Sequence, residues 1–478
     1  MLKGLFLHVF AKIIFVLCTF IVHMYLGKTL SPSEYGTIGV VISIITVNYN
    51  FLSNGLRQAV SKLLASQKYD EGNLITRSMI VQSLIACVLT AVNWIGADLF
   101  SDVLHAGNMS AYIKLSALII PFTAGHFLSL GIINGLKIFV VEAAIASVYP
   151  LLRLTIIPYV SVVFRDSAIG TVMGFFTASF VCFCIEISYL LYRKSRFVKR
   201  NLKVATSGLM SNMGSFLIFF TCVTVILNAD MLFVNALIPN ESHVGYYTGA
   251  VNFAKVSYYL LSAVYIVALP AVSQAHSQNA VVKERKIINS LSNIVIFLVM
   301  PMISIAGATS KSMLVSFYKE EYAYASGTAA ILMCSQFLIG LFVVINICIS
   351  AAGKTGFSTI LGIVMTILDM WLCYGFIQNY EIAGAAIASL VIGFLGCAVS
   401  YVKLVNIYGN ILDKASIRVF ACNILLFMFV SVCFKNILIT NMFVLLMIYA
   451  FIYFTYLAIL IFTKQINIKN TVQALIEK

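Results

Sequence analysis

The sequence predicts an all-α, polytopic membrane protein of 14 transmembrane helices. Two six-helix lobes, related by a pseudo-two-fold axis along the membrane normal, precede two further helices. Three observations predict this. Of the 478 residues, 61% are hydrophobic and only 10% charged, whereas ordinary soluble domains carry about 25% charged residues. The apolar residues gather into runs of roughly 20, the helical length that crosses a hydrocarbon core about 30 Å thick. The chain also repeats weakly. SPSEYGTIG resembles NESHVGYYTG 209 residues later, and the exit Asn134-Gly135-Leu136-Lys137 resembles Ala351-Ala352-Gly353-Lys354 at a spacing of 217. Six spans separate the paired features, so the halves share one orientation and form parallel repeats.

The first run begins near Leu5. It resembles a signal peptide, but Lys12 interrupts it and no small-residue cleavage site follows, so it reads as a retained first span. SPSEYG turns the chain into the second span near Thr37, and four more follow near Ser78, Tyr112, Val140 and Ala168. The longest connections, 61–76 and 193–205, have room for no more than one short amphipathic helix each. The seventh span starts near Gly208. After the polar turn Pro239 to His243, the eighth starts near Val244 and runs to Pro270 with a single cation, Lys255, near its middle. The remaining spans start near Ile287, Ala325, Phe357, Ile382, Ile417 and Asn441. Residues 1–206 thus form the first lobe with its basic linker, 207–406 the second lobe, and 407–478 the last two spans and tail. Pro121, Pro150, Pro158, Pro270 and Pro301 lie in or at the ends of spans and permit bending. Gly131, Gly135, Gly245 and Gly249 allow close helix approach or hinge motion.

Charge orients the chain. With the first residues cytoplasmic, 22 of the 31 Lys and Arg fall on one side, among them Arg193, Lys194, Arg196, Lys199, Arg200 and Lys203. Lys28, Arg165, Lys311, Lys319 and Lys435 fall on the other. Lys12, Lys114, Arg153 and Lys255 stay within or at the mouths of spans. By the positive-inside rule both termini are cytoplasmic. The net charge of +14 is not a nucleic-acid footprint, because these cations are not gathered on a soluble surface. All eleven cysteines fall within spans, so no disulfide framework is expected. Cys182-x-Cys184 has no clustered His beside it, and His8, His23 and His126 sit on different helices. These residues read as packing groups, and no metal or cofactor is expected. External loops of about a dozen residues or fewer carry no catalytic constellation, which argues against an enzyme.

Ionisable residues inside spans are the candidate functional groups. A lysine at mid-membrane costs at least ~2.5 kcal/mol to insert, so Lys255 should face a cavity or partner. Lys12 has a cavity reading and a snorkelling one, and Arg57 a cavity reading and an anchoring one. Arg153 falls opposite Asp369 in the repeat. It either pairs across the lobes, pairs within its lobe with Glu142 or Glu186, or contacts substrate. Asp369 is a candidate coupling-ion or proton site. Glu186 is expected to face the basic run that follows it. Asp230 has a functional reading and one of interfacial solvation. Of Tyr246, Tyr247, Tyr258, Tyr259 and Tyr265, some suit the interfacial belt, while Tyr258 and Tyr259 suit either sugar contact or the core.

LSPSEYG after the first span, IPNESHVGYYTGAVNFA between the seventh and eighth, FYKEEYAYASGTAAILMCSQFLIGLFVVINICISAAGKTGF and NYEIAGAAIASLVIGF occur in an order and spacing similar to the polysaccharide-export branch of the MOP superfamily. The resemblance implies a flippase that moves undecaprenyl-pyrophosphate-linked oligosaccharides across the bacterial inner membrane by alternating access, for O-antigen or other surface polysaccharide. It also implies a cationic cavity, carried over to Lys12, Arg57 and Lys255, with Lys at two positions where Arg is expected. Membrane lipids, a polysaccharide polymerase or glycosyltransferase, and H+ or Na+ are the implied partners. The alternatives are a MATE-like cation or drug antiporter and a lipid II flippase.

Overall fold

Helices form along the apolar runs, and no strand occurs among the described residues. The computed structural model describes residues 2–65, 67, 69–103, 109–164, 167–199, 201–202, 214–278 and 280–463. Lys68, Arg165, Arg200, Lys203, Lys464, Lys469, Lys478, the start of the seventh span near Gly208 and the His8 side chain lie outside this set. Among the described residues, twelve helices are long and apolar enough to cross a membrane. One of them, Thr355–Tyr408, is 54 residues long and breaks at Glu381, whose φ is +48°. Counting its two arms separately and adding Glu241–Ser277, which is 37 residues long, gives fourteen.

The chain divides into two compact units, Met1–Gly245 and Tyr246–Lys478. In the first, α1 (Leu2–Thr29) packs on α8 (Phe139–Val163), and α8 on α9 (Ser167–Arg193). Helix α2 (Pro32–Asn54) starts at a capping box. The Glu34 backbone N–H donates to Ser31 Oγ (3.3 Å), and Glu34 Oε2 accepts from the Ser31 N–H (2.9 Å), which satisfies otherwise orphaned donors. Past Gly55 the span continues as α3 (Leu56–Ala65), an amphipathic helix that takes up part of the segment the sequence assigns to a connection. Helix α4 (Glu71–Ile95) is capped by Asp70. The linker after α9 docks on its start, with the Val198 N–H donating to Glu71 Oε2 (3.0 Å). Short α5 (Ala97–Val103) precedes α6 (Met109–Ala117), which together with α7 (Ile120–Gly135) makes one span. Outside the spans, hydrogen bonds from the Ser110 hydroxyl and the Lys114 ammonium hold the Asp98 carboxyl below its ordinary pKa. Helix α10 (Gly214–Leu237) packs against α2 and so joins this unit.

Helix α11 (Glu241–Ser277) leads into the second unit, where α12 (Val281–Ile294) passes through a π-helical turn, Val295–Val299, into α13 (Met300–Ala308). The π register hands the Met300 N–H to the Val295 carbonyl. The Ile296 carbonyl is then left facing the nitrogen of Pro301, which has no hydrogen to give. In a membrane such a carbonyl must find another donor, and Asn423 Nδ2 supplies it at 2.9 Å from α17 (Lys414–Phe434). Tyr453 on α18 (Met442–Phe462) does the same for Leu298 at 3.1 Å. Asn423→Leu is therefore expected to lower stability by about 1–3 kcal/mol, read as a lower thermal midpoint in detergent. An unchanged midpoint would mean the carbonyl has another donor. Between these helices lie α14 (Ser310–Phe317), a 3-10 turn at Glu320–Ala325, α15 (Ser326–Ala351) and α16 (Thr355–Tyr408), which packs along α15.

Candidate functional site

Arg57 stands in the first turn of α3, and a glycine puts it there. A Cβ at Gly131 of α7 would lie 2.7 Å from the Arg57 carbonyl oxygen, so only glycine allows α3 and α7 this approach. From that position Arg57 Nη2 reaches Glu142 Oε1 on α8 at 3.3 Å, with the Arg57 side chain 31% and Glu142 1% exposed. The other Glu142 oxygen accepts from Asn134 Nδ2 (2.6 Å), and Asn134 Oδ1 accepts from the Ser61 hydroxyl (2.6 Å). The expected cavity cation is thus tied to a buried carboxylate, while part of its side chain stays exposed.

Arg153 does not pair with Glu142 or Glu186, because Arg57 and His126 have taken those carboxylates. Its guanidinium lies 4.4 Å from the Phe175 ring and 5.8 Å from the Tyr149 ring. Its buried Nε has no hydrogen-bond partner among the described residues. Tyr149 in turn shares hydrogen bonds with Tyr49 (2.8 Å) and Ser179 (3.3 Å).

Glu186 also departs from expectation. Seven residues before Arg193 on α9, it turns inward, fully buried, with Oε1 2.5 Å from His126 Nδ1. The Cys182 thiol, one turn earlier, donates to the same oxygen at 3.3 Å. His126 and Cys182, read from the sequence as unconnected packing groups, meet here. Of the two readings of Asp230, interfacial solvation does not hold. The residue is fully buried inside α10 rather than solvated at an interface, and its Oδ1 accepts from the Met231 N–H (2.8 Å). His23 is buried beside the Tyr35 hydroxyl (3.2 Å).

Lys12 is half-buried on α1, its Nζ 5.0 Å from the centre of the Phe15 ring. In the second unit Lys255 is half-buried on α11, and Tyr258 and Tyr259 one turn on are likewise half-buried. Asp369 is fully buried in the first arm of α16, with Oδ1 4.0 Å from Cys373 Sγ. Half-buried cations within apolar spans suit an anionic ligand, since charge attraction strengthens as the dielectric falls.

The two repeated motifs meet each other at the starts of α2 and α11. The Ser33 hydroxyl donates to Glu241 Oε2. A Cβ at Gly36 would lie 2.9 Å from the Gly245 nitrogen, and one at Gly245 would collide with the Pro32 carbonyl oxygen. Backbone therefore touches backbone, and the glycines are what allow it.

Residues 26–326 match the family model described as "Polysaccharide biosynthesis protein". No curated protein matches the sequence at a significant level. Among solved structures, the chain is similar to the lipid II flippase MurJ in an inward closed conformation, at 16% identity and a TM-score of 0.66, covering 91% of this chain and 98% of that one. It is similar to an inward-facing multidrug resistance MATE family transporter of the MOP superfamily, at 14% identity and 0.62, covering 82% and 95%. It is also similar to a MOP superfamily transporter from Pyrococcus furiosus with a binding pocket of reversed polarity, at 13% and 0.63, covering 85% and 96%. At these identities the likeness is one of fold.

Proposed function

Since the chain belongs to the polysaccharide biosynthesis protein family and has the fold of MOP superfamily transporters, we propose that it is a flippase for undecaprenyl-pyrophosphate-linked oligosaccharides. It moves them from the cytoplasmic to the outer leaflet of a bacterial inner membrane by alternating access, for O-antigen or another surface polysaccharide. The observation that carries this reading is the set of half-buried cations inside spans, Lys12, Arg57 and Lys255. A pyrophosphate carries several negative charges into a region of low dielectric, and cations there offset its desolvation. Arg153, buried with no carboxylate within salt-bridge distance among the described residues, is a further candidate for the headgroup. The division into lobes 1–206 and 207–406 with two added spans, both termini cytoplasmic, belongs to the same proposal. So do a polymerase or glycosyltransferase partner and H+ or Na+ coupling at Asp369. A second reading, a cation antiporter, draws on the buried carboxylates Asp230 and Asp369.

Proteoliposomes containing a lipid-pyrophosphate oligosaccharide decide between them. Wild type should translocate the headgroup, and Lys255→Ala and Lys12→Ala, folded by size-exclusion profile, should each lose about tenfold or more, the cost of one charge-assisted contact. Export of cationic dyes with no movement of lipid-linked sugar would replace this reading with the antiporter. Full translocation by both variants would reject the role of the lysines.

A further inference from the structure

We propose that His126, Cys182 and Glu186 form a buried site for one divalent cation of the zinc class. The site is built by the close approach of α7 and α9. A Cβ at Gly125 would collide with the Phe183 ring, so glycine next to His126 leaves room for that ring where α7 packs on α9. Cys182 and Glu186, four residues apart on α9, then face His126 across that contact. The three ligand atoms all lie within 4.8 Å of one another.

The donor set and spacing suit such an ion. Imidazole nitrogen, thiolate sulfur and carboxylate oxygen are the ligands of zinc, which holds them at about 2.0–2.3 Å in a tetrahedron and so sets them roughly 3.3–3.7 Å apart. Cys182 Sγ is 3.7 Å from His126 Nδ1 and 3.3 Å from Glu186 Oε1, both within that range. Only the His126–Glu186 hydrogen bond, at 2.5 Å, is too short. It opens as the ion takes both lone pairs: the proton it holds moves to His126 Nε2 or leaves to solvent, so that Nδ1 binds unprotonated, and Cys182 loses its thiol proton to solvent. Three protein ligands leave a fourth position open.

A hydrogen-bonded trio explains the contacts, but it leaves two features without an account. Glu186 Oε2 is buried and has no hydrogen-bond partner among the described residues. In an apolar interior such an orphan is rare and calls for a partner. The trio also holds a buried carboxylate against groups that need not be charged, at a considerable cost in a membrane. With carboxylate, thiolate and neutral imidazole, a divalent ion brings the site to zero net charge. Seven residues, about 10 Å of helix, separate Glu186 from the end of α9 at Arg193. An ion here clamps α7, which seats Arg57, to α9.

Titration of the purified, metal-stripped and reduced full chain with Co2+ tests this without any transport assay. Wild type should bind one equivalent with the intense visible bands of tetrahedral cobalt and a thiolate charge-transfer band, both bleached by Zn2+. Cys182→Ser should abolish the charge-transfer band, His126→Gln should weaken binding at least tenfold, and Cys184→Ser should change neither. Zn2+ should raise the thermal midpoint of wild type but not of Cys182→Ser. If Cys182→Ser does not fold, His126→Gln and Cys184→Ser carry the decision. Absence of the tetrahedral spectrum in wild type overturns the site, as does a thiolate band that survives Cys182→Ser or is lost with Cys184→Ser, or binding unaffected by His126→Gln.

Discussion

Arg57→Ala is expected to destabilise the protein by about 2–3 kcal/mol, and adding Glu142→Gln should recover most of that loss. Removing one partner of a buried ion pair costs about 3–5 kcal/mol because the other charge stays behind uncompensated. Partial exposure of the Arg57 side chain, at 31%, places this pair below that range. Glu142 itself is fully buried, with Asn134 as its other donor, so the stranded charge drives the effect. Glutamine keeps a carbonyl for Asn134 and removes the charge. The double-mutant cycle should therefore show strong coupling, read from thermal or denaturant midpoints. The same chains separate structure from transport. If Arg57 contacts the headgroup, the restabilised double variant stays at least tenfold below wild type in translocation, the cost of a lost charge-assisted contact. Translocation that recovers together with stability would make Arg57 a structural anchor only.

The pairings behind that prediction explain what could and could not be read in advance. Spans were legible because a membrane selects for continuous apolar length, and even the break at Glu381 falls one residue before the predicted start near Ile382. The exception is α3. Arg57, Gln58 and Lys62 give Leu56–Ala65 a polar face that resembles a connection, although Leu56, Ala59, Val60 and Leu64 are buried against the unit. Partners between helices were not legible. Arg57 and Glu142 are 85 residues apart, and His126 and Glu186 are 60 apart. Helical periodicity says which residues share a face, never which face another helix presents. A signal was nonetheless present in Gly131, which marks where α7 meets α3 at backbone distance, and in Gly125, whose missing side chain leaves room for the Phe183 ring of α9. A glycine one residue or one contact from a buried charge is a hint that two helices bring polar groups together there.

Gly245→Val should open the contact between the starts of α2 and α11. The atom in its way is the Pro32 carbonyl oxygen, part of the backbone, so no rotamer change relieves the collision. Overpacking of this kind costs about 1–3 kcal/mol, which lowers the population with the contact closed by roughly 5- to 150-fold. A chain carrying Ser33→Cys and Glu241→Cys reports it, since those side chains touch in the closed contact. All native cysteines lie on apolar spans, so a membrane-impermeant maleimide reads the two new thiols. Mild oxidation should protect both thiols in the Gly245 chain and far less in the Gly245→Val chain, with Gly245→Ala between them. Equal protection in all three would mean the two turns do not meet. On the flippase reading this contact is a gate built from the paired motifs of the internal repeat. Oxidising the Gly245 chain should then stop translocation, and reductant should restore it. A cross-linked chain that still translocates would leave the contact as packing alone.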